Sequence, residues 1–153
     1  MYISKKTREV VRLKFGGLCA YSGTVLESDW QVDHLKPLIR GYDGAPRFPE
    51  RHSIDNMVPS QKIINHYKGT LDPETFRSWY LGGLHERLKK LPRKTRVKNT
   101  RNRKRYLRRV ASFFDITPDT PFSGIFYYEI HKPQHGTIRG NTRRKIKKIS
   151  TTN

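Results

Sequence analysis

From Lys89 to Arg109 the chain places Lys or Arg at twelve positions and Asp or Glu at none. This stretch limits the fold more than any other feature. Unpaired cations are too costly to bury, so it must face water or a polyanion, and the core must form from what flanks it. The rest of the chain does not neutralise it. Over 153 residues the net charge is +19, the isoelectric point is about 10.4, and only 34% of residues are apolar. A modest core and a strong positive field point to a nucleic acid partner. This length suits one domain and an appendage, with the division expected at Leu91: residues 1–91 as the domain, 92–153 as a basic extension carrying a helix and a short strand.

Several classes are excluded. No apolar run approaches the roughly 20 residues of a membrane-spanning helix, and no amphipathic or lipidated segment suggests membrane binding. Cys19 is the only cysteine, so no intrachain disulfide forms. Met1-Tyr2-Ile3-Ser4-Lys5-Lys6 has no signal-peptide core, so a cytoplasmic location, in a bacterial or phage-infected cell, is the expectation.

Read in order, Ser4 is placed to cap a helix over Lys5 to Phe15, stopped by Gly16-Gly17. Leu18 to Gly23 reads as a knuckle. Asp29 to Leu35 alternates apolar and polar residues, which predicts a strand. Pro37 to Pro49 is a loop by composition. A second helix is expected to begin at Asp55 or Asn56, with its body over Pro59 to Tyr67, and to be ended by Gly69. Asp72-Pro73-Glu74 is a helix start, with the helix kinked at Gly82-Gly83 and resumed through Leu91. Helical spacing returns from Tyr106 to Phe114. Phe122 to Ile130 reads as a strand, and the tail after Pro133 as polar and basic.

Three short segments carry chemistry: Val32-Asp33-His34, Ser53-Ile54-Asp55-Asn56 and Asn65-His66-Tyr67-Lys68. Hydrolysis of a phosphodiester needs an activated water and neutralisation of charge at phosphorus. Histidine suits the first task, since its ordinary pKa is about 6.5. A divalent cation suits the second. Asp33 and His34 are neighbours on a strand, so their side chains start on opposite faces, which favours carboxylate on metal and imidazole on water. Asn56 can pin the loop through its amide, and Asn65 can offer an amide oxygen. Two oxygen ligands describe Mg²⁺ or Mn²⁺ better than Zn²⁺.

In order and spacing these segments resemble the HNH endonucleases, including small phage and bacterial HNH proteins and the HNH domain of CRISPR effector nucleases. The resemblance covers Ser4 to about Leu88. It implies an α+β chain with a ββα-metal core and flanking helices, acting as a metal-dependent DNA endonuclease that nicks or cuts and leaves 5′-phosphate and 3′-hydroxyl ends. It implies His34 as general base, Asn56 as the structural asparagine, and Asp33 and Asn65 as metal ligands, with His66 the alternative to Asn65. The phosphate contacts expected on duplex DNA are Lys68, Arg93, Lys94, Arg96, Lys98, Arg101, Arg103, Lys104, Arg105 and Arg108.

The chain departs from many relatives at the knuckle. Where they hold a structural zinc on two Cys-x-x-Cys pairs, it reads Cys19-x-x-Ser22 and Gln61-x-x-Ile64. One thiolate cannot hold a tetrahedral zinc, so none is expected, and packing through Leu18, Tyr21, Ile63 and Ile64 must serve instead. Two other functions suit the charge: the same fold as a non-catalytic DNA-binding module, and a basic RNA-binding or ribosome-associated protein.

Overall fold

A computed structural model describes residues 2–134. The tail from residue 135 onward, with Arg143, Arg144 and Lys145, lies outside the described residues. The architecture is mixed helix and sheet: helices surround one small antiparallel pair of strands.

Helix α1 (Lys5–Leu13) starts where Ser4 Oγ accepts the Thr7 amide at 3.0 Å, satisfying one of the orphan donors of the first turn. Strand β1 (Gln31–His34) pairs antiparallel with β2 (Met57–Ser60), setting Asp33 opposite Val58 and His34 opposite Met57. Helix α2 (Lys62–Lys68) follows β2 directly. Asp72 caps α3 (Pro73–Thr75) by accepting the Glu74 and Thr75 amides, both at 3.0 Å. This helix continues as a π-helical stretch over Phe76–Leu81, and α4 (Leu84–Lys89) resumes after the two glycines. Helix α5 (Lys98–Ser112) and the short α6 (Tyr127–Ile130) complete the described chain.

Three sequence expectations need correction. Met57 to Ser60 is a strand, so the second helix begins at Lys62 instead of at Asp55 or Asn56. Helix α5 begins at Lys98, eight residues before the apolar periodicity does. Phe122 to Ile130 is not a strand. Its last residues form α6, whose start is fixed where Glu129 Oε2 accepts the Phe126 amide at 2.8 Å.

One core joins both halves of the chain. Phe15, Tyr21, Ile64 and Phe76 pack in the same cluster as Leu107, Val110, Phe114 and Phe126. Tyr21 and Phe76 meet edge-on at 6.0 Å, and Phe76 stacks on Phe126 at 5.9 Å. Leu91 therefore separates no cores, and α5 belongs to the unit that holds the strands. A smaller cluster of Val11, Trp30 and Met57 fixes α1 against the sheet.

The knuckle is held by a buried side-chain amide. Gln61 is fully buried. Its Nε2 donates to Val25 O at 2.7 Å and to Thr24 Oγ1 at 3.2 Å, and its Oε1 accepts the Glu27 amide at 3.1 Å. Packing alone, as expected from the sequence, is therefore incomplete: a side-chain amide also ties the knuckle to the start of α2. Gly23 in the same turn has φ +71, and a Cβ there would lie 2.4 Å from Tyr127 Cδ2. Only glycine lets α6 approach so closely.

Candidate active site

Asp33 and His34 leave β1 on opposite faces, and each meets a different partner. The Asp33 carboxylate turns inward and is 7% exposed. Its Oδ2 accepts from the Tyr21 hydroxyl at 2.5 Å and pairs with Lys68 Nζ at 3.0 Å. Its Oδ1 accepts the His34 amide at 2.8 Å and lies 3.3 Å from Lys68 Nζ. Burial, and then the charge of Asp33, raise the Tyr21 hydroxyl well above its usual range, so it remains a donor.

Lys68 corrects one sequence expectation. Its side chain has no exposure, and its ammonium is held between the Asp33 carboxylate and the His34 carbonyl, at 3.2 Å. It cannot reach a phosphate on the surface. The reason lies in helix geometry: Ile64 and Lys68 are one turn apart on α2 and share its buried face.

His34 is half-buried. Its Nε2 lies 3.2 Å from Nδ1 of His52, with the two rings near-parallel at 29°. One hydrogen fits between the two nitrogens. Burial, His52 and Lys68 lower the His34 pKa below its ordinary 6.5, against an opposing pull from Asp33. The ring is therefore neutral at pH 7, the form a general base requires. His52 was not assigned to this site from sequence. It stands 18 residues away in a loop, and only the turn Pro49–Arg51 brings it back to β1.

Asn56 ties that loop down. Its Oδ1 accepts the Lys36 amide at 2.8 Å, and its Nδ2 donates to Lys36 O at 2.9 Å and Arg51 O at 2.7 Å. Every bond is to backbone, so Asn56 fixes the exit from β1 and the approach to His52 together. Asn65 Nδ2 donates to Gln31 Oε1 at 2.8 Å, which leaves its carbonyl oxygen available. His66, the next residue, is exposed on the outer side of α2.

Asp33, His34 and Asn65 line one open cleft of about 530 Å³, along with Ile39, Arg40 and Thr70. Asn56 opens to a different depression, beside Arg51 and Ser53. Ile39 has φ 43, a conformation costly for a β-branched residue, at the rim of the cleft. Among the described residues, no three of His, Cys, Asp and Glu converge as a metal site. Asp33 and Asn65 supply hard oxygen donors suited to Mg²⁺, but the ammonium of Lys68 already takes the cation's place at Asp33. A divalent ion does not fit directly on Asp33 in this arrangement.

The expected phosphate-contacting residues other than Lys68 lie between Pro92 and Arg108. Arg93, Lys94, Arg96, Lys98, Arg101, Arg103, Arg105 and Arg108 are exposed. Lys104 is half-buried and donates to Pro92 O at 2.9 Å and Arg93 O at 2.8 Å, which holds the connecting loop to α5. Arg103 faces a groove between α4 and α5 with Arg87, Lys90 and Asn99. No helix among the described residues is long and apolar enough to cross a membrane.

Comparisons with known protein families, curated proteins and solved structures return no match for this chain.

Proposed function

We propose that this chain is an HNH-type endonuclease that hydrolyses phosphodiester bonds of duplex DNA, with His34 as the general base. The observation that carries the reading is the meeting of Asp33, neutral His34 and Asn65 at one cleft, in a chain of net charge +19. When His34 donates its Nε2 hydrogen to His52, its Nδ1 lone pair is left to take a proton from water. The hydroxide so formed attacks phosphorus, the bond to the 3′ oxygen breaks, and that oxygen leaves and takes a proton from solvent to become a hydroxyl, while His34 returns its proton to solvent. The products are a 5′-phosphate and a 3′-hydroxyl. Asn56 keeps the loop and His52 in register with His34, while Arg40 at the cleft offers a cation to the phosphate. Dependence on Mg²⁺ or Mn²⁺ belongs to the proposal, and it requires Lys68 to yield its hold on Asp33.

The non-catalytic DNA-binding module has one observation in its favour: the Asp33 carboxylate is already satisfied by Tyr21, Lys68 and the His34 amide. End analysis of a cleaved duplex oligonucleotide separates the two readings. Under the proposal, products appear in Mg²⁺ and are religated by a ligase that needs 5′-phosphate and 3′-hydroxyl ends. Stable binding with no cleavage in either metal would favour the module. Products with 3′-phosphate ends would refute the proposed attack.

A further inference from the structure

We infer that α5 is the main DNA-backbone contact, along one face through Lys98, Arg101, Arg105 and Arg108, and that these four outweigh the other cations of the basic run. The inference rests on the nuclease reading for its partner and adds where the duplex lies. With 3.6 residues per turn, positions i, i+3, i+7 and i+10 fall within an arc of about 80°. These four residues occupy those positions, and all four are exposed. At 1.5 Å per residue the stripe is about 15 Å long. One strand of B-form DNA presents a phosphate every ~3.4 Å along the axis, so the stripe spans about four phosphates.

The other cations of α5 are directed elsewhere. Lys104 is committed to two backbone carbonyls, Arg103 faces the groove toward α4, and Arg109 pairs with Glu27 at 2.7 Å. By contrast the side chains of Lys98, Arg105 and Arg108 make no hydrogen bond or ion pair among the described residues, and that of Arg101 makes only a 3.3 Å bond to Arg96 O. The stripe carries no exposed apolar residue between its cations, which disfavours a membrane surface.

Helix α5 also breaks the rules of a helix made for water. Its first turn has no acid, its N-cap Val97 offers no side-chain bond, and Lys98 and Arg101 sit at the positive end of the helix dipole. Like charges three and four apart add repulsion along the stripe. The apolar anchors Leu107, Val110 and Ala111 are all in the C-terminal half. A polyanion along the stripe relieves both the charge at the helix N-terminus and the repulsion along the stripe, and departures of this kind gather at functional sites.

The test is a salt titration of duplex binding by the full chain. The stripe variant carries Lys98→Gln, Arg101→Gln, Arg105→Gln and Arg108→Gln. The control variant carries Arg93→Gln, Lys94→Gln and Arg96→Gln, which neutralise exposed cations of the preceding loop. Glutamine keeps helix propensity, and circular dichroism checks that both variants fold. The stripe variant is expected to flatten the slope of log K against log salt by about 3 to 4 units, and the control by less than about 1. Replacing the three arginines of the stripe with lysine is expected to keep the wild-type slope, since counterion release follows charge. A stripe variant with the wild-type slope, or a control that flattens it equally, overturns the inference while the nuclease reading stands. Tighter binding to duplex RNA than to DNA overturns the choice of partner. A wild-type chain that shows no salt-dependent duplex binding removes both this inference and the reading beneath it.

Discussion

Replacing Lys68 with methionine isolates the least expected contact in the site. Methionine keeps most of the volume of the side chain and removes its charge. Lys68 has no exposed side-chain surface and Asp33 is 7% exposed, so solvent screens the pair little. Removing one member of a buried ion pair typically costs about 3 to 5 kcal/mol, because the remaining charge is left without a partner. Asp33 would keep the Tyr21 hydroxyl and the His34 amide, which places the expected cost near the lower figure, about 3 kcal/mol. For a chain of this length that corresponds to a melting temperature lower by about 10 °C. Urea unfolding gives the free energy directly. The double variant Asp33→Asn, Lys68→Met removes both charges while leaving an acceptor for Tyr21, and is expected to recover at least about 1.5 kcal/mol of the loss. Titration with Mn²⁺, followed by electron paramagnetic resonance, adds a second readout. Vacating the cation's place should tighten Mn²⁺ binding about tenfold in Lys68→Met, while Asp33→Asn abolishes the gain. A Lys68→Met chain within about 1 kcal/mol of wild type and unchanged toward Mn²⁺ would refute the reasoning.

Three other outcomes follow from the same geometry. Gln61→Ala leaves the Glu27 amide and Val25 carbonyl without partners and should destabilise the chain by about 2 to 4 kcal/mol in urea, whereas exposed His66→Ala should change stability by less than about 0.5 kcal/mol. Because burial and His52 both lower the His34 pKa, single-turnover cleavage should rise tenfold per pH unit in acid and level off below 6.5; His52→Ala should move that midpoint upward, and a midpoint above 6.5 in the wild type would count against His34 as the base. Asn65→Ala should raise the Mg²⁺ concentration needed for half-maximal cleavage at least several-fold and His66→Ala should not, and the reverse pattern would show that the cleft residue was misassigned.

What the sequence made legible was local. Ser4 and Asp72 cap the helices they were expected to cap, because a short polar side chain before a helix has one dominant use. The alternation through Asp29 to Leu35 marked β1 for the same kind of reason. Strand β2 was missed because all four of its residues are buried, so no alternation survives, and Pro59 argues against a strand. In a sheet of only two strands its missing donor costs little. The start of α5 was missed because its first turns lack both a cap and apolar residues. The Phe122 to Ile130 aromatics read as a strand from composition, but they serve one packed cluster in which direction along the chain matters little. At the site, the polar segments could be found by spacing, and their tertiary partners could not. Nothing local to Lys68 distinguishes an inward lysine from an outward one, and nothing near His52 announces an imidazole 18 residues earlier.

The proposed function turns on His34 performing hydrolysis in a cleft that binds DNA. Supercoiled plasmid incubated with purified wild-type and His34→Ala chains, each in Mg²⁺, Mn²⁺ and EDTA, tests it most directly. Nicked or linear plasmid is expected from the wild type in either metal, and none in EDTA. A loss of about 10² to 10⁴ in rate is expected for His34→Ala, with plasmid binding unchanged in a parallel mobility shift. Cleavage by His34→Ala at the wild-type rate, or no cleavage by a wild-type chain that binds the plasmid, would contradict it.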